Sequence, residues 1–119
     1  MFRYFLFIFI LSRFCVDSLK PKLTDNPTKL SQNEKSKLRL YCSVEEGSKP
    51  LKIEWFFNEN FVKNFSKILI QNNDDFSVLT IDKLEFSDSG NYSCKVQNRY
   101  GNEVQFTILT VKGLFFLQF

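Results

Sequence analysis

Residues 88–94 read DSGNYSC and place an acid, a glycine, an aromatic ring and a thiol within seven positions. From there Tyr92, Cys94 and Val96 alternate with polar residues, a period of two that predicts a strand with one buried face. Cys94 is therefore either a reactive thiol or one half of a disulfide inside a core. The rest of the sequence decides between these two interpretations.

The start of the chain has the order of a secretory signal peptide. A cation at Arg3 precedes an apolar run from Tyr4 to Leu11, and a polar stretch ends at Ser18. About eight uncharged residues are too few for a transmembrane helix, which needs roughly 20. The sequence predicts a signal peptide over residues 1–18, cleavage after Ser18, and a domain over residues 19–112 that is secreted or lies on the extracellular face of the plasma membrane.

Cleavage would also change the number of cysteines. It would remove Cys15 and leave Cys42 and Cys94 as a pair. In an oxidising compartment such a pair is expected to form one internal disulfide, whereas in the cytosol both thiols would stay reduced. The predicted compartment therefore favours a disulfide between Cys42 and Cys94.

From Leu19 onward the dominant period of two predicts an all-β fold. Alternation is clearest over residues 38–44, 51–57, 77–81 and 92–97, and NRYGN at 98–102 predicts a hairpin. The inward positions that matter below are Leu40, Cys42, Trp55, Leu79, Ile81, Tyr92 and Cys94.

Three segments depart from this regular pattern. Pro27 is expected to break residues 22–30 into two short edge strands, because proline lacks a backbone donor. Residues 58–75 should hold short edge strands and loops. The apolar parity of residues 103–112 shifts after Ile108, which predicts a β-bulge. Seven or more short strands indicate a sandwich or a barrel.

Three inward residues suggest how two sheets are joined. Cys42, Trp55 and Cys94 are separated by 13 and then 39 residues, and a disulfide between opposite sheets can be shielded by a buried indole. Tyr92 can hydrogen-bond through its hydroxyl to the corner backbone near Asp88. Gly90 would permit a close approach in that corner, and Asp88 can accept hydrogen bonds there.

These residues carry a resemblance to a known family. Cys42, Trp55, Leu79-x-Ile81 and Asp88-x-Gly90-x-Tyr92-x-Cys94 resemble the core signature of an immunoglobulin domain, and the span from Leu19 to Lys112 is similar to the intermediate (I-set) class. The stretches GSKPLKIEWFFN (47–58) and DDFSVLTIDKLEFSDSGNYSCKVQN (74–98) look most like domains of arthropod Down syndrome cell adhesion molecule proteins.

The resemblance implies a two-sheet antiparallel sandwich with Greek-key connections. It also implies an extracellular adhesion or recognition module that binds protein, with another immunoglobulin domain, homophilic or heterophilic, as the expected partner. Family members of this kind carry many immunoglobulin and fibronectin-type domains followed by a membrane span.

Catalytic and cofactor chemistry finds little support in the composition. The chain has no histidine, so neither a Cys-His nor a Ser-His-Asp arrangement can be assembled, and too few ligands remain for zinc. The acidic pairs at 45–46 and 74–75 lie in turn-like stretches, and four scattered glycines form no phosphate-binding loop. A dispersed net charge of +3 argues against nucleic acid. We expect no enzyme, no cofactor, no metal and no small-molecule substrate.

Two acceptor sequences for N-glycosylation agree with secretion. They are Asn64-Phe65-Ser66 and Asn91-Tyr92-Ser93, whereas proline disqualifies Asn26-Pro27-Thr28. Asn64 lies in a loop-like region, and Asn91 should point outward beside the inward Tyr92.

Surface recognition is then the expected activity. The candidate contact face is one outer sheet face that mixes apolar and charged groups, as a desolvating interface requires. Its residues are Lys52, Glu54, Phe56, Lys95, Gln97 and Phe106, with part of Val104 and Ile108 beside them. The alternative is that residues 58–65 or a neighbouring domain cover Phe56.

Two other functions fit the same residues. One is a structural spacer in a muscle-type filament, which would need neither a signal peptide nor oxidised thiols, and the other is a secreted single-domain ligand binder. The apolar tail GLFFLQF (113–119) is too short to span a membrane and is interpreted as a fragment boundary or the end of a gene model.

Overall fold

The computed structural model describes residues 19–113 of the chain. The predicted signal peptide, its cleavage site and residues 114–119 of the tail lie outside the described residues. Within them the chain forms nine strands and one short 3₁₀ helix, Phe86–Asp88. The strands are β1 Lys22–Leu23, β2 Lys29–Asn33, β3 Leu38–Glu46, β4 Lys52–Phe57, β5 Asn60–Val62, β6 Ile68–Asn72, β7 Phe76–Ile81, β8 Gly90–Asn98 and β9 Gly101–Lys112.

The strands form two sheets that face each other, and this confirms the predicted all-β sandwich. One sheet has the order β1-β3-β7-β6 and the other the order β2-β9-β8-β4-β5. Every pairing is antiparallel except β2 with β9, which is parallel. Pro27 lies between β1 and β2, so the break predicted there sends the first half of the segment to one sheet and the second half to the other.

The core fills the space between the sheets with the inward residues of the central strands. Its buried members are Leu23, Leu38, Leu40, Cys42, Trp55, Leu79, Ile81, Leu84, Tyr92, Cys94, Val96, Leu109 and Val111. Ser77 is a fully buried polar side chain in this region, and its hydroxyl accepts the Trp55 indole N–H at 2.8 Å. A buried polar pair that satisfies itself avoids the cost of an unmade hydrogen bond.

The predicted β-bulge in the last strand is wrong. β9 pairs with β8 in one continuous register, from Leu109 opposite Gly90 to Gly101 opposite Asn98. The inward positions before Leu109 are polar, since Gln105 and Thr107 lie opposite the buried Cys94 and Tyr92. The apolar residues that suggested a change of face point outward along an unbroken strand.

Gln105 and Thr107 instead bind the crossover, residues 24–28, which passes from one sheet to the other. Gln105 donates to the Thr24 carbonyl at 2.7 Å and accepts from the Asn26 amide at 3.0 Å, while Thr107 donates to the Pro27 carbonyl at 2.8 Å. The Asn26 amide also donates to the Tyr41 carbonyl of β3. The crossover is therefore hydrogen-bonded to one strand of each sheet.

Candidate binding surface

The cysteine of the opening motif is half of a disulfide. Cys42 of β3 and Cys94 of β8 are bonded to each other, so the bond joins the two sheets. Trp55 lies directly opposite Cys94 in the β4–β8 register, and both side chains are buried. Leu40, Leu79 and Ile81 lie in the same core. A disulfided sulfur inside a packed core offers no nucleophile, so the centre of the fold is structural.

The corner that leads into β8 is fixed by hydrogen bonds and by ion pairs of Lys67 with Asp88 and Glu85. Tyr92 donates its hydroxyl proton to the Asp88 carbonyl at 2.6 Å. The Asp88 carboxylate accepts the Glu85 N–H at 2.8 Å and pairs with the Lys67 ammonium at 2.6 Å. Gly90 lies against Phe57 and Asn58. The role of Lys67, from the loop before β6, has no local signal in the sequence because its partner lies 21 residues away.

The ionisation of Tyr92 is coupled to folding. Burial raises the pKa of the Tyr92 hydroxyl far above 10.0, its ordinary value, and the nearby Asp88 charge raises this pKa further. The unfolded chain therefore loses this proton at a lower pH than the folded domain does. The stability contribution is complete below about pH 10 and falls as the pH rises beyond it.

We expect Tyr92→Phe to change stability in two ways. At neutral pH it should cost about 1 kcal/mol, since the hydrogen bond to the Asp88 carbonyl is lost. Above about pH 10 the difference between the two proteins should shrink, because only the wild type is destabilised by ionisation of this tyrosine in its unfolded state. Urea unfolding of both proteins between pH 7 and 11 measures this. A difference that stays constant over the range would contradict the coupling.

A row of aromatic side chains crosses the outer face of the five-stranded sheet. The strand registers place Phe61 of β5 opposite Phe56 of β4, Phe56 opposite Ser93 of β8, and Ser93 opposite Phe106 of β9. Opposed residues of antiparallel strands share a face, so the four side chains project on one side. Phe56 and Phe61 make an edge-to-face contact with ring centroids 6.0 Å apart. The row thus spans four neighbouring strands.

The outward residues of β9 extend this row into an apolar patch, defined as Phe56, Phe61, Val104, Phe106 and Ile108. Four of its members are 42–58% exposed, and Phe56 is partly exposed. Isolated apolar residues on a surface need no explanation, but five on one sheet face, with only β8 between the two groups, are typical of an interaction site.

Charged side chains border the apolar patch. Lys52 and Glu54 lie beside it on β4, Lys95 faces both Glu54 and Val104, and Lys29 of β2 faces Ile108. The Lys52 ammonium is 3.9 Å from the Glu54 carboxylate. Gln97 lies at the same face, opposite Lys52. Cations therefore outnumber the acid around the patch.

The structure places all six residues of the predicted contact face on this one surface, and it also adds members. Phe61 belongs to the segment that was expected to cover Phe56. It contacts the Phe56 ring, but the Phe61 side chain itself remains exposed. The position of Phe61 depends on the tight turn at Asn58 and Glu59, which joins β4 to β5. The φ angles of these two residues are 47° and 71°. Positive φ at two consecutive residues is typical of a two-residue hairpin turn, and that turn fixes the register.

The opposite outer face is also partly apolar but less continuous. Tyr41, Leu69 and Phe76 are its exposed large side chains. Tyr41 is paired with Val78, but Leu69 is paired with Thr80 and Phe76 with Ser43, so polar residues separate Leu69 from the other two. This surface serves below as the control for the apolar patch.

The two sequons lie on different parts of the domain. Asn91 is exposed on β8 and lies opposite Ile108, so it shares the outer face with the apolar patch. Asn64 is exposed in the connection between β5 and β6, where its side-chain carbonyl accepts the Ile70 N–H at 2.6 Å.

Three further kinds of functional feature can be checked among the described residues: metal sites, recesses and membrane-spanning helices. No three histidine, cysteine or acidic side chains of residues 19–113 are grouped to hold a metal ion. A recess of about 220 Å³ beneath the crossover is lined by Trp55, Tyr92 and Cys94 of the core and by Asn26 and Gln105. None of the helical segments described is long and apolar enough to cross a membrane.

Comparison with known proteins gives one family match and several partial relatives. The family model of the immunoglobulin I-set domain matches residues 21–111. Drosophila melanogaster titin is 30% identical over 95 residues, which cover 78% of this chain and 0% of titin to the nearest per cent. Human pro-neuregulin-1, membrane-bound isoform, is 35% identical over 79 residues, covering 64% of this chain and 12% of the relative. Drosophila melanogaster neuroglian is 30% identical over 90 residues, which cover 76% of this chain and 6% of neuroglian.

Solved structures agree with the fold. The I-band fragment I67–I69 of titin superposes with a TM-score of 0.72 at 26% identity, covering 79% of this chain and 33% of that one. The Dscam1 Ig7 domain superposes with a TM-score of 0.70 at 25% identity, covering 80% of this chain and 99% of that domain. The chain thus spans a small fraction of the curated relatives named above and corresponds in size to one of their domains. These relatives include both muscle and adhesion proteins, so the resemblance to the Down syndrome cell adhesion molecule holds only at the level of the immunoglobulin domain.

Proposed function

The chain belongs to the immunoglobulin I-set family, and on that premise we propose that it is an extracellular recognition module that binds a second immunoglobulin domain through the apolar patch. The observation that carries the proposal is the patch of Phe56, Phe61, Val104, Phe106 and Ile108, which lie on one outer face on both sides of Ser93 of β8. Binding without catalysis is consistent with a core whose thiols are bonded to each other.

The partner that we propose is a second copy of the same domain. In a two-fold contact the same patch lies on both partners, so an apolar surface is complementary to itself. Lys29, Lys52 and Lys95 would surround the contact on both sides, and their flexible stems can keep the ammonium groups in water. The like charges still repel each other. We therefore expect weak association, with a Kd on the order of 0.1 mM, or about 5.5 kcal/mol.

Salt gives this interface a distinctive response. Interactions between exposed charges are largely screened beyond about 10 Å at 0.1 M ionic strength, and this distance shortens as salt is added. Raising the salt concentration should weaken repulsion between the lysines while leaving apolar burial in place. The dimer should therefore tighten with salt, whereas an interface made of ion pairs would loosen.

Sedimentation velocity of the unglycosylated, refolded domain at about 10–500 µM, in low and in high salt, tests the proposal in the range where the expected Kd lies. We expect a monomer–dimer equilibrium that shifts toward dimer in high salt. Phe106→Lys should weaken association at least about tenfold, since it buries a charge at the centre of the patch. Tyr41→Lys is the matched control, because Tyr41 is 53% exposed on the opposite face against 47% for Phe106.

Two outcomes would count against self-association through this patch. One is a wild-type domain that stays monomeric over the whole range in both salts. The other is a dimer that Tyr41→Lys weakens as much as Phe106→Lys does.

The second candidate function is a structural spacer of a muscle-type filament. It is favoured by the 30% identity to Drosophila titin over 78% of the chain. The two functions require different compartments, since Cys42 and Cys94 form a disulfide only where the environment is oxidising.

Expression of the full chain in insect cells, with thiols alkylated before lysis, separates the two functions. A secreted protein in which Cys42 and Cys94 resist alkylation supports the extracellular module. A protein retained in the cytosol with both thiols alkylated supports the spacer.

A further inference from the structure

The sequon Asn91-Tyr92-Ser93 lies inside the proposed binding surface. Asn91 and Ser93 both project from the outer face of β8, while Tyr92 between them is buried. Asn91 is opposite Ile108, and Ser93 is flanked by Phe56 on one side and Phe106 on the other. A modification of Asn91 would therefore start directly beside the apolar patch, at the end marked by Ile108.

The side chain of Asn91 is available for such a modification. Its backbone carbonyl and N–H are both hydrogen-bonded to Asn58, whereas the side-chain amide is exposed and makes no hydrogen bond among the described residues. The modification would join Asn91 Nδ2 to C1 of N-acetylglucosamine. The C1–O bond of a lipid diphosphate-linked oligosaccharide donor would break, the diphosphate would leave with the bonding electrons, and Nδ2 would release one proton.

Distances within a sheet bring the first sugar close to two aromatic residues of the patch. Residues diagonal to each other on neighbouring antiparallel strands are about 7–8 Å apart. Phe106 is diagonal to Asn91 on β9 and Phe56 is diagonal to it on β4, as the two registers require. A sugar ring on Asn91 therefore lies within reach of both aromatic rings.

We propose that N-glycosylation of Asn91 closes the apolar patch to protein partners, so that only molecules left unmodified at Asn91 bind through it. The blocking of a partner rests on the function proposed above, whereas the coverage of Phe106 by sugar follows from the position of Asn91 alone. Glycosylation of Asn64 would leave Phe106 open, since that side chain bonds to Ile70 of β6 and borders a recess with Phe61 at the opposite edge of the patch. The two sequons thus have opposite consequences for binding.

The test compares the secreted wild type with two sequon variants made in the same eukaryotic cells. Ser93→Ala removes the Asn91 sequon, and Ser66→Ala removes the Asn64 sequon as the matched control. Glycopeptide mass spectrometry should find the wild type and Ser66→Ala occupied at Asn91. An unmodified Asn91 in the secreted wild type would overturn the proposal.

Hydroxyl-radical labelling measures the coverage without any partner. At low protein concentration, Phe106 should be labelled several-fold less in the wild type and in Ser66→Ala than in Ser93→Ala, with Tyr41 as the internal reference. Equal labelling of Phe106 in all three proteins would overturn the proposal even if the domain never dimerises.

Sedimentation then connects the glycan to binding. Ser93→Ala should dimerise, while the wild type and Ser66→Ala stay monomeric at the same concentration. Bacterially produced wild type, which has the same sequence as the secreted wild type but no sugar, should also dimerise, which isolates the glycan from any substitution. A glycosylated wild type that dimerises as readily as Ser93→Ala would overturn the proposal.

Discussion

Replacing Cys42 and Cys94 together by alanine is expected to lower the free energy of unfolding by about 4 kcal/mol. The bond closes a loop with a sequence separation of 52 residues, and a cross-link of that span restricts the unfolded chain far more than the folded one. A domain of ordinary stability has only 5–15 kcal/mol in total. Urea unfolding of the oxidised wild type against the double variant measures the difference.

The control for this effect is the reduced wild type. In excess dithiothreitol the wild type also lacks the cross-link, so it should unfold within about 1 kcal/mol of the double variant. The expectation fails if the oxidised wild type and the double variant differ by less than about 1 kcal/mol, since the disulfide would then add little to stability.

Gly90→Ala is expected to cost about 1–3 kcal/mol, the range of substitutions that force atoms together in a packed region. A Cβ at this position would come within 2.7 Å of the Phe57 ring and 2.8 Å of the Asn58 side-chain oxygen. The backbone there has a φ of +156°, which side chains rarely adopt. Phe57 packs on Tyr92 with ring centroids 4.7 Å apart, so displacement of its ring would disturb the corner as well.

Gly101→Ala is the matched control in the hairpin between β8 and β9. A Cβ there would meet only the Lys20 side chain, at 3.3 Å, and that flexible chain can move aside. We expect a change within about 0.5 kcal/mol. Thermal unfolding of both variants beside the wild type checks the pair, and an equal loss in the two would contradict the steric explanation.

Much of the sandwich could be predicted from local patterns. Alternation assigned the inward residues of β3, β7 and β8, and the backbone chemistry of Pro27 correctly divided the first segment. These predictions depend on the period of side chains along a strand and on the missing donor of proline, which are properties of a few neighbouring residues.

The error in β9 shows where local patterns stop being sufficient. Gln105 and Thr107 point inward because they hydrogen-bond to the carbonyls of Thr24 and Pro27. These partners lie 80 or more residues earlier in the chain. From the sequence alone, a strand with polar inward residues cannot be distinguished from a strand in which a β-bulge changes the buried face. The parallel pairing of β2 with β9 has the same origin, since it depends on which sheet the chain joins after the crossover.

The contact face was only partly predictable for a related reason. Alternation placed Phe56 and Phe106 on an outer surface, but their alignment across Ser93 depends on the registers of β4, β8 and β9. Phe61 joins them only because the turn at Asn58 and Glu59 sets β5 in one particular register. Registers between strands are set by tertiary packing as well as by sequence.

The crossover also has a consequence for solubility. Exposed edge strands can recruit strands of other molecules and start aggregation. β1 pairs only with the end of β3, and β2 only with the end of β9, but the bonds from Asn26 to Tyr41 and from Thr107 to Pro27 draw the intervening chain across the remaining lengths. One short segment thereby protects both sheets on that side against edge-to-edge growth.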